Sequence, residues 1–372
     1  MTEKTLLDRY IIEPATLEDS RQILDIYEEE AAPGNPALIF TRRDNAILSM
    51  QREGEQVVIF VCRNKFNNEL IGFGAYSINS CFVNGTVCPV AYLFGLKCRK
   101  SYRNRAARAI PIIYNRIRLD LESKGIDNVL TTILSENLPA RKFLTKSHRD
   151  MPRYTLLGKY EVFALCPLKQ SRKKLPEGIV CEPAHITGRL RLENFLQTHG
   201  CKRNFFPVTN ISSTLPDDFF EECMVLTDTN DGRILAAGYC WDQRSYKQLI
   251  VAGYSGIYKV LRHFSKPLRW CGYPPLPRIG SALNLRTLSF FIVREEKNEY
   301  FNWFVDAVMS KYNNCDIILI GAGPRYPHRS ELVNRPHWTY TSDVFSVDWK
   351  KQAETVLTSE INAPTYLQCG RL

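Results

Sequence analysis

The stretch "AYLFGLKCRKSYRNRAARAIP", Ala91 to Pro111, joins two parts of unlike character. Its first eight residues are an apolar, strand-like run. From Arg99 onward it holds five basic side chains, no acidic one and no glycine. Three readings compete for such a stretch: a solvated helix face, a nucleic-acid patch, or an anion-binding loop leading into a helix N-terminus. The stretch alone does not choose between them. Its place in a longer pattern does.

That pattern is an internal repeat. "YIIEPATLEDSRQILDIY" from Tyr10 matches "GIVCEPAHITGRLRLENFL" from Gly178, each a strand, then Glu-Pro-Ala, then an amphipathic stretch. "QVVIFVCRNKFNNELIGFGAYSI" and "ECMVLTDTNDGRILAAGYCW" follow, each two apolar runs around an Asn/Asp turn, a β-hairpin signal. "AYLFGLKC" then answers to "LRTLSFFIV" (285–293). A helical stretch follows each, "AIPIIYNRIRLDLESKG" and "NEYFNWFVDAVMSKY". The buried-strand runs "DNVLTTIL" and "NCDIILIG" come next. "PRYTLLGKYEVFAL" (152–165) and "PHWTYTSDVFSVDW" (336–349) close the copies, each read as a terminal hairpin. The fixed order predicts an α/β chain (α+β, mixed sheet) of two tandem domains, 1–167 and 178–350. An exposed linker, 168–177, joins them, and 351–372 is a C-terminal tail. The second copy carries an insertion, 244–284, whose first part has helical apolar spacing and whose "GYPPLPRIG" reads as a loop that covers a pocket or forms an interface. The matching span of the first copy is short, with a turn signal at "VNG", 83–85.

Composition limits the function classes. The chain has 372 residues, 44% apolar, 24% charged, with a formal net charge of +10. That suits two globular domains and favours anionic partners without naming one. Twelve cysteines are scattered with no C-x-x-C pair, and six histidines form no close metal pair, so no metal site is expected. Scattered thiols on apolar runs suit a reducing compartment, and with no leader-like start the expected location is cytoplasmic. No apolar run is long enough to span a membrane. Tyr102 and Tyr114 lie near the basic stretch, but no nucleic-acid signature accompanies them, and nucleic acid is not expected as a partner.

In this order of elements, "AYLFGLKC", the basic loop and its helix resemble the core of the GNAT acyltransferase superfamily, over nearly the whole chain as two domains. The resemblance implies a loop of pattern Gln/Arg-x-x-Gly-x-Gly/Ala whose backbone N–H groups, with the helix dipole, receive the pyrophosphate of acetyl-CoA or another acyl-CoA. Here "YRNRAAR" aligns Arg103 with the opening Arg, while Asn104, Ala106 and Arg108 stand at glycine positions. Arg108 either obstructs the cradle or reaches the phosphates with its guanidinium fork. Pro111 is easiest to accept in the first turn of a helix. "NLPARKFLTK" matches the family's second landmark with Asn137, Ala140, Phe143 and Leu144. Asn137 is implied to contact the pantetheine arm, and Leu144 stands where relatives often place a Tyr acid. Phe94 stands where relatives often place a Glu base. Two common catalytic positions are therefore apolar.

The expected function is acyl-CoA-dependent N-acyltransfer, from acetyl-CoA to a primary amine of a small molecule or peptide, run by the first copy. Arg103, Arg105 and Arg108 with the N–H groups of Ala106 and Ala107 would hold the pyrophosphate. A main-chain N–H near Leu96 or Cys98 would polarise the thioester carbonyl. His148, in "KSHRD", is the one candidate base, set against a plain surface-loop histidine. A nucleophilic Cys98 would need its thiol pKa lowered by Lys97, Arg99 or Lys100, and a buried strand cysteine is the preferred reading. The second copy reads "REEKNEY" at its loop, acids that repel a pyrophosphate, so it is expected not to bind cofactor. The alternative is a catalytically degenerate pair that binds a ligand or partner. Oligomeric state is left open.

Overall fold

The computed structural model describes residues 9–32, 34–103, 110–146, 151–167, 174–208, 215–350 and 363–372. Arg105, Ala106, Ala107, Arg108 and His148 lie outside these. In the first copy β1 (Tyr10–Pro14), helix α1 (Ser20–Glu28), β2 (Ala37–Thr41) and α2 (Ala46–Gln51) come first. β3 (Gln56–Asn64), β4 (Leu70–Val83) and β5 (Thr86–Cys98) follow, then α3 (Ile110–Ser123), β6 (Val129–Leu134), α4 (Leu138–Leu144) and β7 (Arg153–Leu165). The second copy runs β8 (Ile179–Pro183), α5 (Arg189–Gly200), β9 (Cys223–Asp228), β10 (Ile234–Trp241), β11 (Gln248–Gly253), β12 (Leu285–Val293), α6 (Asn298–Lys311), β13 (Ile317–Ala322) and β14 (His337–Asp348).

The strands β1-β3-β4-β5-β6-β14-β7-β13-β12-β10-β9-β8 form one twelve-stranded mixed sheet. Read from either edge inward, the two copies give the same order, as the repeat predicts. The hairpin turns fall where expected. Asn84 and Gly85 between β4 and β5 both take positive φ, 49° and 79°, the two-residue hairpin that Asn-Gly favours.

The middle of the sheet departs from the sequence reading. The two closing segments are not hairpins. Each is a single long strand, and they pair with each other from His337↔Leu165 to Asp348↔Arg153. β14 then pairs with β6 of the first copy, and β7 with β13 of the second. Each copy thus lends its last strand to the other. β7 and β14 pair with each other along their whole length, with a register shift beside Gly158 of β7, and each also finds a second partner over five residues, Glu161–Leu165 on β13 and Ser342–Ser346 on β6.

Alternation along the strands sends one set of side chains to each face. One face carries α3 over Tyr76, Leu93 and Ile133, and α6 over Leu288, Phe291 and Ile320. The other carries α1 and α2 over Val61, Phe73 and Ala75, and α5 over Val225, Ala237 and Tyr239. The insertion also differs from expectation. Its first ordered part is strand β11, paired with β2 of the first copy, and helices begin only at Tyr258. Leu249 and Val251 point into a small core of their own with Leu38 and Leu283, so the apolar spacing serves a strand. The described end of the tail, 363–372, is not peripheral: Tyr366, Leu367 and Cys369 are buried against the sheet. No helix among the described residues is long and apolar enough to cross a membrane.

Candidate active site

In the first copy the parallel pair β5–β6 holds for only three residues, Ala91↔Val129 to Leu93↔Thr131. Beyond Leu93 the two strands part, and β5 continues alone beside β4. There the register slips. Ala75 faces Phe94 and Phe73 faces Lys97, so Gly74 stands opposite both Gly95 and Leu96. This is a β-bulge. Gly95 takes φ +68°, which an L side chain adopts only with strain, and a Cβ there would meet the Tyr27 hydroxyl at 3.3 Å. Phe94 to Cys98 are all half-buried, in a strand that lies well inside the sheet. A parting, a bulge and partial exposure together mark this end of β5 as the candidate cleft.

The sequence candidates fall around this cleft with uneven roles. Leu96 is at the bulge, where backbone is exposed by the slipped register. Cys98 pairs with Gly72, and burial pushes its thiol above the ordinary range although Arg103 pulls the other way, which favours a plain strand cysteine over a nucleophile. The cation beside it is Arg103 rather than the lysines. Arg103 forms an ion pair with Glu30, and Lys100 lies 3.6 Å from the same carboxylate. The hydrogen bond from Arg103 holds the Glu30 carboxyl below its usual range. The backbone N–H of Lys100 donates to Glu29 at 2.8 Å, and Arg99 sits 3.4 Å from Glu69. The basic stretch is thus met by acids from the end of α1 and the β3–β4 turn. Asn137 is the N-cap of α4, its Oδ1 accepting from Ala140 N at 3.3 Å. Phe94 packs with the Tyr27–Phe73 core, and Leu144 is buried under α3.

Other polar side chains lie on or near these elements, and the sequence pointed to one of them, Lys97, only as a neighbour of Cys98. Tyr92 shares a 2.6 Å hydrogen bond with Thr132 where the strands part. Lys97 donates to the Tyr27 carbonyl at 3.2 Å, lies 5.2 Å from the Tyr27 ring centre, and has its ammonium pKa lowered by burial. A buried charge cluster joins the copies: Glu53 pairs with Arg42 and lies 3.3 Å from Lys247. Burial lowers the Lys247 pKa, and the two cations keep Glu53 ionised despite its burial. Arg42 and Glu53 belong to one copy and Lys247 to the insertion of the other, so no sequence spacing links them. Among the described residues no group of three His, Cys, Asp or Glu could hold a metal.

The second copy has the same frame. β12 and β13 pair from Leu285↔Ile317 to Leu288↔Ile320 and then part, and Gly238 stands opposite Phe290 and Phe291 at a matching bulge. Phe290 takes φ +52° where the first copy has glycine. Here the frame is filled. The Phe290 N–H donates to the Tyr366 hydroxyl at 2.5 Å. Arg203, 2% exposed, donates to the Phe291 carbonyl at 3.1 Å and to both Glu296 oxygens at 2.8 and 2.7 Å. His328 is fully buried, 3.1 Å from Glu296 and 2.7 Å from Asn298, and stacks on Phe301. Burial pushes the Glu296 carboxyl up, but His328 and Arg203 together bring it below its usual range. Ser289 to Val293 are buried without exception.

Solved structures share this architecture. Saccharomyces cerevisiae N-myristoyltransferase with bound myristoyl-CoA superposes with a TM-score of 0.55 at 10% identity, over 91% of this chain and 82% of that one. A second structure of the same enzyme with myristoyl-CoA gives 0.53 at 10% identity, over 92% and 80%. A third, with myristoyl-CoA and inhibitors, gives 0.55 at 9%, over 91% and 80%. No family model matches the sequence, and no curated protein matches it. The likeness is one of fold: the chain has the GNAT acyltransferase fold in two tandem copies, as the repeat and the residues around Arg103 and Asn137 implied.

Proposed function

We propose that the protein is an acyl-CoA-dependent N-acyltransferase that uses the first copy. The observation that carries this reading is the contrast in burial at the two partings: Phe94–Cys98 remain half-exposed, whereas Ser289–Val293 are buried under their own chain. The yeast N-myristoyltransferase of the same fold holds an acyl-CoA. In the proposed reaction the acyl-pantetheine enters between β5 and β6, and the backbone N–H groups at Leu96 or Cys98 polarise the thioester carbonyl. The amine of the acceptor attacks that carbon and forms the C–N bond, the C–S bond breaks, CoA leaves as the thiolate, and the proton lost by the amine passes to water, from which the thiolate can be protonated. Arg103, with Arg105, Arg108 and the N–H groups of Ala106 and Ala107, holds the pyrophosphate, and Asn137 helps to place the pantetheine. Rate comes mainly from positioning. The donor is acetyl-CoA or a longer acyl-CoA, the acceptor a small-molecule or peptide amine, and the scattered free thiols support a cytoplasmic setting. The second copy contributes β14 and the insertion but holds no cofactor.

Calorimetry with acetyl-, octanoyl- and myristoyl-CoA, paired with CoA release over a panel of amines, tests the reading. Binding of one donor and steady CoA release above hydrolysis are expected. No binding at about millimolar donor would remove it. Binding without turnover would instead support a ligand-binding protein, the reading favoured by the apolar Phe94 and Leu144 at positions where relatives keep a base and an acid.

A further inference from the structure

Away from the cleft, the insertion of the second copy carries the most unusual surface. Residues 244–284 contain seven Lys and Arg and no Asp or Glu. Arg244 pairs with Asp242, Lys247 with Glu53 and Arg269 with Asp316. Lys259, Arg262, Lys266 and Arg278 form no ion pair among the described residues. The helical run Tyr258–Leu261, Arg262–Phe264 and Ser265–Trp270 has no buried residue in any of its three pieces. It rests on the body through Tyr258, Leu261 and Leu268, half-buried against Val251, Tyr254, Leu276 and Leu283. Tyr258 also meets Trp338 of β14 edge-on at 5.6 Å.

The rest of that surface is apolar. Ile257, Val260, Phe264 and Trp270 are 67, 58, 54 and 83% exposed. Ile257, Val260 and Phe264 follow one another three and four residues apart, the spacing of one helix face. Elsewhere along the chain the exposed large apolar residues stand singly or, as with Ile186 and Leu190, in a pair. Here they are grouped and interleaved with cations that form no ion pair among the described residues. A nucleic acid would engage the cations and leave Ile257 and Val260 in water. A lipid headgroup layer satisfies both sets: phosphates meet Lys and Arg, and the apolar side chains enter the acyl boundary. An indole is well suited to that boundary because its ring is apolar and its N–H is polar.

We infer that the insertion docks the protein on an anionic phospholipid surface. Ile257, Val260, Phe264 and Trp270 enter the headgroup–acyl boundary, while Lys259, Arg262, Lys266 and Arg278 face lipid phosphates. The inference does not depend on the acyltransferase reading. Flotation of the full chain with vesicles of phosphatidylcholine, with and without about 30% phosphatidylserine, tests it. Binding is expected only with phosphatidylserine, weakened by high salt. Phe264→Ser/Trp270→Ser and Lys259→Glu/Lys266→Glu should each reduce it roughly tenfold or more, with circular dichroism and thermal midpoint unchanged. Phe66→Ser, at another exposed aromatic (79%), should leave it intact. Should a double variant lose its fold, Trp270→Ser alone changes one exposed side chain and keeps the test. Wild-type protein that stays in solution with both vesicles, that binds both equally, or that binds no better than its variants overturns the inference. Binding of an oligonucleotide through the same residues, without vesicle binding, overturns it too.

Discussion

Two partings of strands lie in one sheet, built from the same repeat, and they have opposite fates. Both have a parallel pair that ends early, and both have a bulge facing a glycine, Gly74 or Gly238. In the first, the left-handed bulge residue is Gly95 and the strand beyond it is half-exposed. In the second it is Phe290, its N–H is taken by Tyr366, and Arg203, Glu296 and His328 fill the loop region with a largely buried network of hydrogen bonds and one ion pair. The second copy supplies from its own chain the acceptor and the charges that a ligand would bring to the first. The difference shows that a frame of parted strands can be kept for its sheet geometry alone once internal side chains satisfy the polar groups the frame exposes.

The comparison breaks most readily at Arg203. Arg203→Ala leaves the Phe291 carbonyl without its donor and Glu296 with His328 as its one remaining described partner, and should cost about 2–4 kcal/mol of stability. That lies toward the lower side of the range for an unpaired buried charge, because Glu296 still reaches solvent. Denaturant unfolding measures it, and acyl-CoA affinity should not move if the first copy binds alone. In the first copy the cation stands on the loop itself and its acid partner after α1, the reverse of the second copy, and Arg103→Ala should weaken acyl-CoA binding by about 1.5–3 kcal/mol, read by calorimetry, with little loss of stability. Glu30→Gln should change affinity in the other direction, by less than about 1 kcal/mol, since it frees Arg103 from a partly exposed pair. Unchanged affinity in both variants would mean that the basic stretch is a solvated face.

Tyr366→Phe removes the acceptor of a buried N–H and should cost about 1–2 kcal/mol, with acyl-CoA binding intact. A smaller effect is expected from pH. The Glu296 carboxyl is held below its usual range, so the stability it contributes is present above the unfolded value near ~4.3 and is lost as pH falls through the lower folded value. Thermal midpoints between about pH 2 and pH 5 should fall more steeply in the wild type than in Glu296→Gln. Equal slopes would show that the network does not hold the second parting closed.

Much of the frame was legible because it rests on local chemistry. "VNG" and "NDG" required turns, the apolar runs gave β5, β6, β12 and β13, and the repeat in fixed order placed a loop after each. Two misreadings share one cause. The closing strands looked like hairpins, and β11 looked helical, because their partners lie in the other copy and alternation does not identify a distant partner. The cleft was half legible. Phe94, Leu96 and Arg103 could be placed by order, but the meeting of Arg42 and Glu53 with Lys247 could not, since the fold brings them together from separate segments of the two copies.

The sequence by itself determined the two copies, their element order and the basic stretch from Arg99, because turn residues, apolar alternation and repetition are properties of neighbours along the chain. Only the tertiary structure decided which parting stays open. That depends on Tyr366, Arg203 and His328 reaching residues dozens of positions away, and on a single sheet in which each copy's last strand completes the other's pairing. Hydrogen bonds and ion pairs form between groups that meet in space, and no local pattern records where the chain will bring them together.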